Sequence, residues 1–294
     1  MIRIEIGARH YLLYLVLPHP LKVALLSPRS RAALDRINAA VNEHVYSGAG
    51  AAEYDRLHRY GADEQHEYPA QHLVTAVWAP GGYGRALELG AGSGYFTALI
   101  ARRAQRVLAV EPVPDMQRAL RARCEAEGLA NVELIGAPAA ALAAHVAEGT
   151  VDSALVIQSL HHVHRRPEVF AALGRAVRPG GSLYLLEPHH NLRRVGRLVR
   201  SYLRQYRAPA FRGDERHWAT HDFVTRGELQ ALCRHGGFEA PRLSGFWIPY
   251  TRRLIRDPAR RAAVEQRLGR LPLLRHWAGV LALEARRAAP RGRG

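Results

Sequence analysis

At 294 residues with 48% apolar side chains, the chain is long enough for one large α/β domain with additions, and its composition excludes wholesale disorder. Its two cysteines, Cys124 and Cys233, stand far apart, which argues against a disulfide framework or a cysteine-ligated zinc site and fits the cytoplasm. The net charge of +16 rests on arginine, Lys22 being the only lysine, and the arginines are spread out rather than gathered beside aromatic residues, so a solvated basic surface is favoured over a nucleic-acid interface.

In chain order, the first feature is an apolar run over residues 11–17, interrupted by Pro18 and Pro20. It is too short to span a bilayer and no small-residue cleavage site follows it. Neither a transmembrane segment nor a secretory leader is expected, while a peripheral membrane contact stays open. Ser30 is placed to cap a helix over 32–45, where Ala33, Leu34, Ile37 and Val41 recur at helical spacing. A Gly/Ala patch at 47–52 breaks the pattern, and further helices are expected over 53–59 and 68–78. Residues 1–80 together read as an N-terminal helical cap.

From residue 85 short apolar runs alternate with helical ones, the pattern of a parallel sheet covered on both faces. Strands are expected at 85–90, 107–111, 131–135, 152–158 and 181–187, with helices at 95–104, 115–127, 138–147 and 167–177. The core unit is thus 81–190. Residues 191–224 are Arg-rich and read as a lid inserted over the C-terminal ends of the strands. In 225–285 a capped helix at 225–237 precedes two last strands, 242–250 and 280–285, separated by a basic helical insertion at 258–275. Residues 286–294 form a basic tail.

The stretch Leu87-Glu-Leu-Gly-Ala-Gly-Ser-Gly-Tyr95 joins the first strand to its helix. Glycines at such a turn let the backbone take positive φ and let a ligand press against main-chain N–H groups. Glu111, 21 positions after Gly90, ends the second strand where a nucleotide-binding βαβ unit places its ribose-binding acid. The spacing G-x-G-x-G departs from the dinucleotide form G-x-G-x-x-G, because Tyr95 stands where the third glycine is needed. Glu88 would oppose a pyrophosphate but suit a cationic group.

These residues resemble motif I of class I S-adenosylmethionine-dependent methyltransferases. The resemblance implies a Rossmann-like, seven-stranded methyltransferase sheet with helices on both faces, S-adenosyl-L-methionine as cofactor, and methyl transfer as the activity. It places the turn at Gly90, Gly92 and Gly94 around the methionine moiety, Glu88 toward its ammonium, and Glu111 on the ribose hydroxyls. Pro112, Val113 and Met116 would flank the adenine, and Gln158 and Ser159 would face the methionine end. Many relatives carry an Asp after the third strand; here Ile135-Gly-Ala-Pro-Ala-Ala-Ala141 has no carboxylate, so adenine would be read around Ala137 by main-chain or apolar contacts. Leu160-His-His-Val163 and the run from Leu173 to Gly181 are similar to the small-molecule branch that includes ubiquinone and menaquinone methyltransferases. The Asn/Asp-Pro-Pro-Tyr motif of base and glutamine methyltransferases is replaced by Gln158-Ser-Leu-His161.

A hydroxyl acceptor needs its proton removed, and histidine is the usual candidate. His161, His162 and His164 follow the fourth strand, His189 and His190 the fifth, and His217 and His221 fall in the lid. His161 or His189 is the expected general base; convergence of several histidines on a metal is the sharper alternative, and no metal is expected. Glu187 is expected to pair with Arg193 or Arg194, with orientation of the acceptor as the alternative, and Tyr60 and Tyr68 either close over the ligand or pack in the core. The favoured function is methylation of a small organic acceptor. An RNA or membrane-lipid methyltransferase using the basic surface, and a non-catalytic scaffold of the same fold, are the alternatives. The acceptor and the oligomeric state are not readable.

Overall fold

The computed structural model describes residues 16–25, 27–29, 42–43, 46–58, 79, 81–206 and 222–289. Seven strands form one sheet: β1 Gly84–Leu89, β2 Ala104–Val110, β3 Val132–Ile135, β4 Val151–Ile157, β5 Val177–Pro188, β6 Phe238–Phe246 and β7 Val280–Arg287. Their order is β3-β2-β1-β4-β5-β7-β6. β1 pairs in parallel with β2 and β4, β2 with β3, and β4 with β5, while β7 runs antiparallel between β5 and β6. The central strands are near-continuous apolar runs because both faces are covered.

Alternation along β1 assigns the faces. Leu87 and Leu89 join one apolar cluster, which takes in Val169, Phe170, Leu173, Leu229 and Leu232. Ala86 joins the other, with Phe96, Ile100 and Leu120. In chain order the described helices are α1 His19–Leu25, α2 Ala49–His58, α3 Tyr95–Ala101, α4 Pro114–Ala126, α5 Arg166–Ala176, α6 Leu192–Tyr206 and α7 Arg226–His235. α8 Thr251–Leu254, α9 Pro258–Leu268 and α10 Pro272–Trp277 follow. None is long and apolar enough to cross a membrane.

Several boundaries differ from the sequence reading. α2 starts at Ala49, inside the Gly/Ala patch expected to be a break. The expected helix at 138–147 is a 3-10 turn, Ala139–Ala144, in which Leu142 alone is buried. β6 begins at Phe238, not 242, because Gly237 at φ +68 turns the chain straight out of α7. The basic insertion divides into α9 and α10 at Gly269, where a Cβ would meet Gly245 O at 1.9 Å. The expected helix at 68–78, most of that at 32–45, Tyr60, Tyr68, His217, His221 and the end of the basic tail lie outside the described residues.

Two pieces of the N-terminal region seat on the core. Ala51 packs with Val113 and Met116 at the start of α4, beside Tyr46 and Tyr54, and Arg123 donates to Asp55 at 2.8 Å. α1 docks through His19 Nδ1 at 2.7 Å and the Lys22 ammonium, each on one oxygen of the buried Asp222 carboxylate. Burial pushes that carboxyl up, but Lys22 and His19 more than offset it and hold Asp222 well below the usual range.

Candidate active site

In a parallel sheet the loops at the carboxyl ends of the strands form the ligand crevice. Here the loops after β1, β2 and β4 surround a cavity of about 530 Å³. Gly90 (φ +73) lets the loops after β1 and β4 touch, since a Cβ there would come 2.5 Å from Ser159 Cβ. Gly92 (φ +56) keeps the wall low opposite Tyr54, 3.8 Å from where its Cβ would stand. Gly94 (φ +83) serves packing instead, its Cβ position lying 3.0 Å from Leu120 as it starts α3.

The second loop is organised by Glu111. Its Oε2 accepts the Gly92 amide at 2.8 Å and its Oε1 the Val113 amide at 2.9 Å. Burial pushes its pKa up against the pull of those two amides. Each oxygen accepts only one of these bonds, so lone pairs remain for a diol at the cavity wall. Pro112, Val113 and Met116 line the cavity beside it, and Pro138, Ala139 and Ala140 approach from after β3.

The third loop starts with Gln158, a non-glycine residue at φ +50, a conformation that is strained and marks functional sites often enough to note. Ser159 Oγ donates to Leu89 O at 2.6 Å. Fully buried Glu187, at the end of β5, accepts the Ser159 and Leu160 amides on Oε1 at 2.6 and 2.7 Å, and its Oε2 lies 2.8 Å from His161 Nδ1. Burial pushes Glu187 up to about 7, with the amides pulling the other way. The short turn held this way, Leu160–His162, points His162 into the cavity, with Val163, His164 and Arg165 behind it.

The cap supplies the remaining wall: Asn42, Glu43, Tyr46 and Tyr54. Tyr46 Oη lies 3.3 Å from His162 Nε2, the rings edge to face. Burial, then the Glu111 charge, pushes the Tyr46 hydroxyl up to about 12, so it keeps its proton at neutral pH.

Eight of the expected cofactor residues therefore meet at one cavity: Gly90, Gly92, Glu111, Pro112, Val113, Met116, Gln158 and Ser159. Glu88, Gly94 and Ala137 are not in its lining. Glu88 is buried on the α3 side, accepts Thr97 Oγ1 at 2.6 Å, and is pushed up to about 8, chiefly by burial. The Ala137 amide is engaged by Ile135 O at 3.0 Å.

The two histidines expected as the base, His161 and His189, both lie outside the cavity lining. His161 is turned onto Glu187 and His189 is buried against Ala278 O at 3.1 Å. Burial pushes His189 down to about 4, too weak a base for work near neutrality. His162 and His164 line the cavity instead. The hydrogen bonds of Glu187 reach Ser159, Leu160 and His161, while Arg193 binds Trp247 O.

Among the described residues, His19, His164 and Asp222 are close enough to share a metal ion. The Lys22 ammonium on the same carboxylate and the bond of His19 Nε2 to His164 O (3.1 Å) work against a cation there. Asn42, Tyr46 and Tyr54 were missed by sequence reasoning. Two aromatic residues flanking a patch of small ones, Tyr46 and Tyr54 around 47–52, were the available signal.

Residues 87–185 match the model of a family described as a methyltransferase domain. An uncharacterized methyltransferase of Mycobacterium tuberculosis is 36% identical over 122 residues, 40% of this chain and 45% of that protein. The chain thus spans less than half the length of the curated relatives it matches. Among solved structures, a Thermotoga maritima S-adenosylmethionine-dependent methyltransferase, described as a possible histamine N-methyltransferase, aligns with a TM-score of 0.54 at 18% identity, over 83% of this chain and 99% of that one. Phosphoethanolamine N-methyltransferase 2 of Haemonchus contortus, in complex with S-adenosyl-L-methionine, aligns with a TM-score of 0.59 at 14% identity, over 86% of this chain and 60% of that one. At such identities the likeness is one of fold. The matched segment contains the glycine turn and Glu111, so residues 87–185 are similar to a methyltransferase domain.

Proposed function

We propose that the chain transfers the methyl group of S-adenosyl-L-methionine to a small organic acceptor held between the 90–92 turn and the His162–Arg165 segment. The observation that carries this reading is the single cavity in which Gly90, Gly92 and Glu111 face His162 and Tyr46. The donor set suits the cofactor. Gly92 keeps the wall low opposite Tyr54, Glu111 has lone pairs for two ribose hydroxyls, and Val113, Met116 and Pro138 give apolar walls for adenine. Because the Ala137 amide is engaged, adenine contacts fall to the Pro138–Ala140 backbone and to apolar packing. Glu88, behind the turn, acts on the ammonium through the field it contributes when ionised.

The bound cofactor supplies a carbon activated by a sulfonium, so in-line displacement needs little covalent help from the protein. The chain aligns the acceptor and excludes water. His162 takes the acceptor's proton where the nucleophile is a hydroxyl, and Tyr46 fixes its ring. His161 acts as a positioning residue, holding the turn through Glu187. The phrase Leu160-His-His-Val163 supports an acceptor of the kind used by the ubiquinone and menaquinone branch, and the N-methyltransferase neighbours leave an amine equally in view.

The test is incubation of the purified chain with methyl-labelled S-adenosyl-L-methionine and a panel of phenolic, quinol and amine acceptors. Label appearing in a small product supports the reading. Tight S-adenosylhomocysteine binding with no label transferred to any acceptor favours a non-catalytic scaffold.

A further inference from the structure

Pro188 of β5 and Phe246 of β6 both lie opposite Val280 of β7, so the chain leaving β5, leaving β6 and entering β7 meets at one end of the sheet. That is also the carboxyl end of β1, β2 and β4, on which the cavity stands. Three helical pieces cover it: α6, α8 and α10. Arg193 of α6 ties them, donating to Trp247 O at 3.0 Å. Yet they leave large apolar side chains facing solvent. Leu192 is 66% exposed, Tyr250 70%, Leu254 80% and Leu273 71%, with Leu271 and Trp277 also exposed. Isolated exposed leucines are ordinary; a group from three segments at one end of a domain marks a contact surface.

The charge around them has one sign. α6 carries five arginines and no acid, and residues 250–277 carry eight arginines against Asp257 and Glu265, of which Glu265 is fully buried. Arg252, Arg253 and Arg256 are exposed directly beside Leu254. α6 is strongly amphipathic, with Leu192, Val195, Leu198, Val199 and Leu203 recurring at helical spacing between arginines. Aliphatic side chains projecting among arginines fit the boundary between headgroups and acyl chains, where the first enter hydrocarbon and the second pair with anionic phosphates. RNA would be served by flat aromatic platforms, and most of the projecting side chains here are leucines. A second copy of the chain would bring the same positive charge against itself.

We infer that this end of the molecule is a docking surface for an anionic lipid bilayer, on which the chain lies without spanning it. The helical insertions after β5 and between β6 and β7 are then the membrane-facing elements, and the methyl-transfer cavity stands at the interface.

The experiment is co-sedimentation of the full chain with vesicles of phosphatidylcholine alone and of phosphatidylcholine mixed with phosphatidylglycerol. Binding to the mixed vesicles, weaker on pure phosphatidylcholine and reduced by salt, is expected. The double substitution Leu254→Ser and Leu273→Ser should weaken that binding by about tenfold or more, since each leucine entering hydrocarbon is worth roughly that factor. Its melting temperature and S-adenosylhomocysteine binding should stay as in the unsubstituted chain. Arg252→Glu with Arg253→Glu should abolish the preference for the anionic vesicles. Absence of binding to the mixed vesicles overturns the inference. So does binding that the leucine substitutions leave unchanged, particularly if the chain is retained as well by RNA under the same salt, because the surface is then a patch for any polyanion.

Discussion

The Glu187 carboxylate holds His161 by its ring, Oε2 to Nδ1 at 2.8 Å, while its other oxygen takes the amides of Ser159 and Leu160. One fully buried acid at the end of β5 thereby shapes the loop after β4, and that loop delivers Gln158, Ser159 and His162 to the cavity. The cavity wall depends on a residue that does not line it.

Glu187→Ala should therefore lower both stability and turnover. Removing the acceptor for two buried amides and a ring nitrogen is expected to destabilise the protein by about 2–4 kcal/mol, read from denaturant midpoints. Glu187→Gln keeps one acceptor oxygen for the amides and presents an N–H to His161. It should recover most of the stability and lose turnover, and equal loss in both would mean that the contact is only structural.

His162→Gln is expected to reduce turnover of a hydroxyl acceptor by roughly 10²–10⁴-fold, the usual span for a general base, with cofactor affinity nearly unchanged. His189→Ala should leave turnover intact, since that ring is bonded to Ala278 O away from the cavity. If His189→Ala abolishes activity in a correctly folded protein and His162→Gln does not, the two roles must be exchanged.

Glu88 makes a pH prediction. Its folded pKa is raised to about 8 from 4.5, so the folded state binds the extra proton and stability falls as pH rises between those values. The contribution is complete below about pH 4.5 and is lost by about pH 8. Glu88→Gln removes the titration, so the ligand-free variant should gain on the unsubstituted chain by a few kcal/mol across that window. Glu187, raised to about 7, adds a slope of the same sign. Parallel stability profiles for Glu88→Gln and the unsubstituted chain would show that Glu88 does not titrate in this range.

The sequence made the β1-turn-α3-β2 unit legible because its signals are local: a buried run, three glycines at positive φ, and an acid at a strand end. Gly90, Gly92 and Glu111 follow from those patterns alone. Gly94 shows their limit, for the same positive φ serves packing against Leu120. Tyr46 and Asn42 meet His162 only through docking of the cap, a tertiary contact across more than a hundred residues that no spacing rule encodes. Ala139–Ala144 read as a helix on propensity, yet Leu142 alone is buried there, too little to hold more than a 3-10 turn. His161 and His162 are neighbours in sequence, yet the buried Glu187 holds the first and only the second lines the cavity.

Calorimetric titration of S-adenosylhomocysteine into the unsubstituted chain and into Glu111→Ala tests the central claim most directly. Stoichiometric binding to the first is expected, with binding weaker by about 1–3 kcal/mol in the second, the range for losing hydrogen bonds to a charged group, and no binding of a dinucleotide such as NAD to either. Equal affinity in both proteins, or saturation by NAD in place of S-adenosylhomocysteine, would contradict it.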